Sequence, residues 1–539
     1  MASSTSSSPT GSNTGKLFND FPWPFDLAQL LELVLVDPFA QNLVNSAANR
    51  FFSLSPAGEI QIRRDEGGCW GLLPPAWRDY CEGIAEEKWD ETLQDLSRGE
   101  REDFPPTMKD YFDRCRTLSL ARTCSTVPVL SFPPAKTRDH GRRAPPSSEA
   151  KPAFEADFTT QKIKGINMKN AQKAGKSPKK EHEVEQLSSL VQDVMRDAAK
   201  PITHCIDVGS GRAHLSRALA APPINLHVLA IDWSSSQKFG AERIDLIVSD
   251  AGVGPTLGSL THEVSSLDCG GVNAALARWP PRNEGEDAQP ALLVALHACG
   301  DLTPASLRAF IESDADSQRK GAKAIFVGCC YNMLTPSTFP LSLHFRSLLP
   351  SPLSVRSEPM TREHLRLTPQ SPPTWHSTPS ESTSFLKATL KIAYRARFET
   401  ELFSAKVGDP TGRRVGRVSE VRSWEDYRKR AIERFDYGRT ELREDQVPEV
   451  RIEGGEEGWR KALFLVRIWW TVRSWLGPPM ETACVVDRFC FLCEGLRREW
   501  EETAAADDGH GEEEKRRVEM VNVFDQATGS LRNLAVVVR

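Results

Sequence analysis

The sequence lacks any long apolar run. The longest candidates are interrupted by Arg467 or Pro38, and none approaches the roughly 18 residues that a membrane-spanning helix requires. The first 15 residues contain neither an apolar core nor an arginine, unlike a signal or transit peptide. An excess of positive charge is also absent, because the formal net charge is -5, which argues against a wholly basic surface that coats nucleic acid. These absences predict an intracellular protein, cytoplasmic or nuclear, with no membrane partner.

Cysteine patterns typical of zinc sites are scarce. The chain has 12 cysteines and no secretory signal, a combination that fits a reducing compartment in which most thiols are small buried groups. Cys490 and Cys493 form the only C-x-x-C pair, and the second pair that a four-cysteine zinc site needs is missing. We therefore expect no metal ion in this protein.

What the sequence does contain is a glycine-rich turn between a strand and a helix. Residues 204–220 are HCIDVGSGRAHLSRALA, with an apolar approach, Gly209 and Gly211 on either side of Ser210, and helical spacing after them. Such a turn lets the backbone approach a ligand at the mouth of a parallel sheet. Asp207 places a carboxylate before the glycines, which suits the cationic amino-acid part of S-adenosylmethionine and disfavours a pyrophosphate.

The end of this turn separates two cofactor classes. A dinucleotide-binding turn needs a third glycine where this chain has His214, whereas the methyltransferase pattern, acidic-x-G-x-G-x-G, is matched except that Ala213 replaces the last glycine. The next strand, LHVLAIDWS, ends at Asp232, about 20 residues beyond the glycines, where a carboxylate binds ribose hydroxyls in both classes. S-adenosylmethionine is the predicted cofactor. The predicted cofactor-binding residues are Asp207, Gly209, Ser210, Gly211, His214, Asp232, Trp233 and His297.

Composition divides the chain into segments. We predict a disordered tail over residues 1–16, a mainly helical region over 17–127, a linker rich in Pro, Ser and Lys over 128–174, and a catalytic domain over 175–539. The lysines from Lys162 to Lys180 form a basic arm that can steer RNA onto the domain, although a solvated flexible segment fits them equally. Ser177 as a cap and Pro178 in the first turn predict a helix that begins there. In the N-terminal region, Asp26 is predicted to cap the start of another helix.

The position of the third strand is ambiguous. Residues 241–252 fit either a strand that ends at Asp250 or a helix. In the helical case the strand lies in residues 258–268, where apolar and polar residues alternate up to Asp268. The second alternative is slightly favoured, and in both cases the terminal aspartate can meet the adenine amino group.

Two later strands supply the candidate catalytic residues. Residues 291–310 begin with a buried apolar run followed by HACGD and a helix, and residues 324–334 contain GCCYNML. Neighbouring strand ends meet in one crevice of a doubly wound sheet. His297 suits a general base for a hydroxyl group, whereas packing and hydrogen bonding at the strand ends explain these residues equally well. The predicted catalytic residues, which lie beside Cys329, are His297, Cys299, Asp301, Cys330 and Tyr331.

Several motifs, in this order, resemble those of a known family. SPKKEHEV, DVGSGRAHLS, LHACGDL and VGCCYNMLTP, with YRARFE and residues 476–495 and 521–538, are similar to the methyltransferase-like protein 25 family and its sister group, the ribosomal RNA adenine dimethylase domain-containing proteins. The resemblance, to a fungal-type member, implies an α/β, Rossmann-like class I fold that binds S-adenosylmethionine. In that fold a seven-stranded, mostly parallel sheet has an antiparallel last strand. Residues 398–502 are then a helical insertion, and residues 503–516 an acidic loop.

The substrate class is open between several alternatives. Enzymes that methylate adenine amino groups place an Asn or Asp, two prolines and an aromatic residue after the fourth strand, but this chain has His-Ala-Cys-Gly there. The H-x-C-G motif followed by a cysteine pair is similar to a family of transfer RNA 2'-O-methyltransferases, and this similarity favours RNA. The alternatives are a protein methyltransferase and a catalytically silent scaffold, for which Ala213 is the best argument.

Overall fold

The computed structural model describes residues 17–18, 20–133, 177–250, 258–280, 290–314, 321–404, 414–415, 418–419, 421–436, 443–505, 516–526 and 528–539. Several expectations lie outside these residues: the tail over 1–16, the linker from residue 134 onward, the lysines before Ser177, and the acidic loop from residue 506 to 515.

Helices predominate in the N-terminal region. The predicted cap at Asp26 is confirmed, because its carboxylate accepts hydrogen bonds from the backbone N–H groups of Ala28 and Gln29. Pro38 begins the second helix. Proline is tolerated there because a backbone N–H in the first turn would have no hydrogen-bond partner within the helix. The elements are α1 (Leu27–Leu35), α2 (Pro38–Asn45), the antiparallel strands β1 (Phe52–Leu54) and β2 (Ile60–Ile62), α3 (Pro75–Glu82), α4 (Trp89–Arg98) and α5 (Pro106–Thr117).

The chain continues into a strand that the sequence analysis placed partly in the linker. This strand, β3 (Ser125–Phe132), pairs antiparallel with a strand near the C-terminus, so the linker predicted from residue 128 begins too early. β3 is the outermost strand of its sheet, where Pro128 need not donate a hydrogen bond on its open side. Leu130 and Phe132 are buried against the core, and this burial explains why a segment containing Pro and Ser forms a strand.

Five adjacent parallel strands form one side of the same eight-stranded sheet. The order across the sheet is β3, β11, β12, β8, β7, β4, β5, β6, with β12 antiparallel to β8 and β11 antiparallel to β12. The predicted fold class is confirmed, and β3 adds an eighth strand. The elements are α6 (Pro178–Arg196), β4 (His204–Val208), α7 (His214–Ala220), β5 (His227–Asp232), α8 (Ser235–Asp250), β6 (Ser259–Val264), α9 (Cys269–Arg278), β7 (Ala291–Ala298), α10 (Leu302–Asp314), β8 (Lys323–Gly328), β11 (Val518–Asn522) and β12 (Leu534–Val538).

The central strands are apolar because helices cover both faces of the sheet. In β4, Cys205 packs into the cluster on one face and Ile206 into the cluster on the other. The order of the strands along the chain changes direction at β4, which has β5 as its neighbour on one side and β7 on the other. A ligand crevice is therefore expected where the carboxyl ends of β4 and β7 diverge.

The favoured alternative for the third strand is confirmed. Residues up to Asp250 belong to α8, and β6 lies within the predicted residues 258–268. The strand ends at Val264, however, and Asp268 caps α9 by accepting a hydrogen bond from the N–H of Gly271 at 2.8 Å.

A helical insertion separates β8 from β11, and it is longer than predicted. It begins well before residue 398, and its last helix continues past residue 502 to Ala505, into the predicted acidic loop. The prolines near residues 350–379 concealed its early part, since short helices between prolines give little periodic signal. The elements are α11 (Leu343–Leu348), α12 (Arg362–Leu367), α13 (Pro379–Ser404), β9 (Arg414–Val415), α14 (Trp424–Glu433), β10 (Phe435–Asp436), α15 (Gly455–Ser474) and α16 (Gly477–Ala505).

The N-terminal region and the insertion share one hydrophobic core. Tyr111 donates a hydrogen bond to the carbonyl of Val472 at 2.9 Å, and the indole of Trp475 donates one to the carbonyl of Leu96 at 2.9 Å. Cys490 and Cys493 are fully buried in the same core, where they act as small apolar groups. The two segments thus stabilise each other although several hundred residues separate them.

Within the described part of the chain, no single helix has the length and apolar character needed to cross a membrane. The bent pair α1 and α2, inclined at 47° to each other, meets that test only when the two helices are taken together.

Candidate active site

Hydrogen bonds join the glycine-rich turn after β4 to the end of β5. The N–H groups of Gly209 and Ser210 both donate to the carbonyl of Ile231, at 2.9 and 3.1 Å. The N–H of Gly211 donates to Oδ2 of Asp232 at 2.9 Å. Two of the predicted cofactor-binding segments are thereby held together at the carboxyl edge of the sheet.

The conformation of the turn requires its glycines. Gly209 and Gly211 have φ of +73° and +54°, in the left-handed region that glycine adopts without steric cost. A Cβ atom on Gly209 would lie 2.8 Å from Cδ2 of Leu302, whereas one on Gly211 would have no heavy atom within 4 Å. The chain thus packs closely at the first glycine and leaves open space at the second.

Ala213 occupies the position of the missing third glycine without changing the path of the turn. Its φ is +56°, still in the left-handed region, and its methyl group is buried beside Ala230 and Ala241. An alanine in this conformation costs about 1 kcal/mol relative to glycine. The small neighbours accept the methyl group, so the loop keeps the conformation of the glycine-rich pattern.

Asp207 is a buried carboxylate at the end of β4. Its Oδ2 accepts a hydrogen bond from Oγ of Ser216 at 2.6 Å, and 2% of the residue is exposed. Burial raises the pKa of Asp207 to about 6, and the hydrogen bond from Ser216 opposes that shift only in part. Ser216, in α7, is a partner that the sequence analysis missed.

The other predicted cofactor residues lie along the same edge. Asp232 is mostly buried at the end of β5, and its Oδ1 accepts a hydrogen bond from the N–H of Ser234. Trp233 follows it with 72% of its surface exposed. His214 is the first residue of α7 and is buried. The cofactor roles of these residues stay predictions.

His297 occupies an irregular position near the end of β7. The register between β7 and β8 shifts between Leu296 and Ala298, and His297 has φ of +60°. A bulge of this kind redirects a side chain at a strand end. Nε2 of His297 lies 2.8 Å from Oε2 of Glu183 in α6, so the imidazole ring has a fixed partner.

Glu183 is the residue that sequence reasoning missed. Its carboxylate is 3% exposed and lies 3.6 Å from Nζ of Lys180. Burial raises the pKa of Glu183, but the hydrogen bond and charge of His297, with Lys180, hold it below its usual value. The sequence does contain a signal for Glu183. It lies four and eight residues before Leu187 and Val191, on the buried face of an amphipathic helix, where a carboxylate is unusual.

Three cysteine sulfurs meet where β7 and β8 end. The Sγ atom of Cys299 lies 3.0 Å from that of Cys329 and 3.4 Å from that of Cys330, and the last two are 3.5 Å apart. Hydrogen bonding from Cys329 lowers the pKa of Cys299 to about 6. The pKa of Cys329 is raised, mainly because its thiol donates to Cys299, and burial raises that of Cys330. The structure brings together the two cysteines of the catalytic prediction and Cys329, which the sequence analysis placed beside them.

Two of the predicted catalytic residues, Asp301 and Tyr331, have structural partners outside the cysteine cluster. Asp301 accepts hydrogen bonds from the N–H and Oγ1 of Thr335, at 2.8 and 2.5 Å, and so holds the turn after β8. Tyr331 is buried, its pKa is raised by burial, and it lines an internal cavity with Thr303 and Arg488. The 3-10 turn that begins at Tyr331 directs the ring inward, which a strand pattern does not reveal.

Comparisons with known proteins give one family match and several solved structures with low similarity. Residues 179–337 match a family model described as a methyltransferase domain. A SAM-dependent methyltransferase from Geobacter sulfurreducens, solved with S-adenosyl-L-homocysteine, is 15% identical, with a TM-score of 0.18 and coverage of 30% of this chain and 54% of that one. YJHP from E. coli is 17% identical, with a TM-score of 0.18 and coverage of 30% of this chain and 55% of that one. A SAM-dependent methyltransferase from Thiobacillus denitrificans, also solved with S-adenosyl-L-homocysteine, is 15% identical, with a TM-score of 0.18 and coverage of 30% of this chain and 54% of that one.

The matched part spans about half the length of each of these three proteins. The strand order and the family match carry the assignment of the fold. In this order β4 is flanked by β5 and β7, the sheet continues to β6 on one side and β8 on the other, and β12 runs antiparallel beside β8. The chain therefore contains a methyltransferase domain with the Rossmann-like class I fold.

Proposed function

We propose that this protein transfers a methyl group from S-adenosylmethionine to RNA, as a fungal-type relative of the methyltransferase-like protein 25 family. The observation that carries the proposal is the hydrogen bond between Glu183 and His297, because it fixes the first turns of α6 at the crevice. The chain enters α6 from a lysine-rich segment. A polyanion attracted by that segment is thereby brought to the edge that carries His297.

The carboxyl edge of the sheet fits S-adenosylmethionine at three places. Asp207 is a buried carboxylate with a raised pKa, so a cationic amino group beside it gains a strong electrostatic partner. Asp232 offers a carboxylate to ribose hydroxyls, and the exposed indole of Trp233 offers a stacking surface to adenine. The open space at Gly211 leaves room for a ligand. When bound, S-adenosylmethionine supplies an electrophilic methyl group.

Positive charge lies close to this edge. Lys179 and Lys180 are in the first turn of α6, and the charge of Lys180 favours the ionised forms of both Glu183 and Asp207. The two residues continue the predicted basic arm directly into the described structure. Phosphate groups of RNA are the partners that such a lysine series attracts, and the H-x-C-G motif with the following cysteine pair supports the same class.

His297 is positioned to accept a proton from the substrate. With Nε2 facing the carboxylate of Glu183, Nδ1 is the ring nitrogen left for another partner. A ribose hydroxyl next to that nitrogen can give it the proton that methyl transfer to oxygen releases. Glu183 holds the ring in position and is a positioning residue.

The test measures transfer of a tritiated methyl group from S-adenosylmethionine to cell extract, followed by RNase or protease digestion. We expect label that RNase removes. The variant Lys176→Glu/Lys179→Glu should lower this label at least tenfold, because two phosphate-attracting charges are reversed. The matched control, Lys387→Glu/Lys391→Glu on α13, should leave it unchanged.

Binding of the cofactor is measured separately by thermal unfolding. S-adenosylmethionine at 100 times its dissociation constant should stabilise every one of these lysine variants by about 2.7 kcal/mol. Label that protease removes and RNase does not would show a protein substrate. Stabilisation without label in either fraction would show a silent scaffold.

A further inference from the structure

We propose that Cys299, Cys329 and Cys330 bind one thiophilic divalent metal ion of the zinc class, with a fourth coordination position open to the crevice. The sequence analysis expected no metal ion, because the only C-x-x-C pair, Cys490 and Cys493, lacks a second pair. Their ligand atoms nevertheless all lie within 4.8 Å of one another.

Strand register explains how the three sulfurs meet. β7 and β8 are adjacent and parallel, and Ala298 is paired with Gly328. The first residue after each strand is a cysteine, so Cys299 and Cys329 leave the sheet side by side. Cys330 follows at once and completes a triangle whose sides are 3.0, 3.4 and 3.5 Å. Cys299 and Cys329 each directly follow a paired strand residue, so the sheet fixes where their backbones begin, which is the kind of support a metal site needs.

The donor set selects the kind of ion. Cysteine thiolates favour soft or borderline ions such as zinc, whereas magnesium and calcium require oxygen ligands. A tetrahedral site with Zn–S bonds of about 2.3 Å separates its sulfurs by about 3.8 Å. Each pair in this cluster would open by less than about 1 Å to accept zinc, a change that rotation of the side chains provides.

The exposure of the cluster indicates an open site. Cys329 is buried, but Cys299 and Cys330 are only half-buried. Structural zinc sites usually have four protein ligands, whereas sites with three protein ligands keep a position for water or a substrate atom. The open position here lies at the edge that carries His297, so it faces the same crevice as the cofactor-binding turn.

The experiment uses the full chain purified from zinc-supplemented cells, with metal content measured by mass spectrometry. We expect about one zinc ion per chain, as for a single mononuclear site. Cys299→Ser and Cys330→Ser should each reduce that content at least fivefold. Cys124→Ser, which changes an exposed cysteine outside the cluster, should retain it.

A second measurement uses the wild-type protein and so does not depend on the folding of variants. Alkylation of each cysteine is followed by peptide mass spectrometry before and after chelation. We expect chelation to increase labelling of Cys299, Cys329 and Cys330, and labelling of Cys124 to stay the same. Absence of metal from the wild-type chain, a disulfide within the cluster of the purified protein, or equal labelling before and after chelation would overturn the proposal. None of these results would affect the test of RNA methylation.

Discussion

The carboxylate of Glu183 lies 2.8 Å from Nε2 of His297, although 114 residues separate the two in the sequence. This contact joins α6 to the end of β7 and gives the partly buried imidazole a defined orientation. It also holds the first turns of α6 at that strand end, with Nζ of Lys180 3.6 Å from the carboxylate of Glu183.

Removal of Glu183 should impair catalysis more than binding. In Glu183→Ala, His297 loses the partner that orients its ring, so we expect kcat for RNA methylation to fall at least tenfold while KM changes little. Unfolding stability should fall by about 1 to 3 kcal/mol, because a buried hydrogen bond is lost. Steady-state kinetics and urea denaturation measure both effects.

The conservative variant distinguishes orientation of the His297 ring from the effect of the charge on Glu183. Glu183→Gln keeps a hydrogen-bond acceptor near His297, and we expect it to recover most of the lost kcat. A rate as low as that of the alanine variant would mean that the charge of Glu183, and not the orientation that it provides, matters to His297.

Asp207 should destabilise the protein at neutral pH in the absence of cofactor. Its pKa rises from 3.8 in the unfolded chain to about 6 in the folded one, so the folded state binds the proton more tightly. Stability is therefore lost as the pH rises from about 4 to 6, by on the order of 2 to 3 kcal/mol. Asp207→Asn should be more stable than wild type at pH 8 and equal to it near pH 4, as measured by urea denaturation.

The same variant should lose the stabilisation that S-adenosylmethionine gives to the wild type, because the negative charge opposite the amino group is gone. Asp20→Asn, which changes an exposed carboxylate, should match the wild type at both pH values and respond normally to the cofactor. Equal stability of wild type and Asp207→Asn at pH 8 would contradict the prediction.

The two glycines of the turn should respond differently to alanine. Both substitutions force alanine into a left-handed conformation, at a cost of about 1 kcal/mol each. Gly209→Ala should cost more, since its methyl group meets Leu302, whereas Gly211→Ala should lose affinity for S-adenosylmethionine with little further loss of stability. Urea denaturation with calorimetric titration of the cofactor separates the two effects, and equal behaviour of the two variants would be evidence against this geometry.

Tyr331 should be dispensable for catalysis. Its ring is buried beside Gly328 and lines a cavity with Thr303 and Arg488. We expect Tyr331→Phe to methylate RNA within twofold of the wild type, while His297→Ala loses most of the activity. A large loss of kcat in Tyr331→Phe, without a change in stability, would place the phenol in the reaction.

Local signals allowed several features to be predicted from the sequence. The caps at Asp26 and Ser177 were recognisable because the capping side chain and the helix that it begins are adjacent. The strand, turn and helix around Gly209 were recognisable for the same reason. The partnership of Glu183 with His297 depends on distant residues and was missed. The meeting of Cys299 with Cys329 and Cys330 was predicted, because neighbouring strand ends of such a sheet share one crevice. β3 was missed in part because Pro128 is compatible with a strand only at the edge of a sheet, which is a property of the whole fold.

The pairing of β3 with β11 has a consequence for the order of folding. Asn522 in β11 donates a hydrogen bond to the carbonyl of Ala121, just before β3, across 401 residues of sequence. During synthesis β3 emerges long before β11, so this side of the sheet cannot close until β11 has also been synthesised. A chain shortened before residue 518 would leave β3 and β8 with unpaired backbone groups, and such open edges promote aggregation.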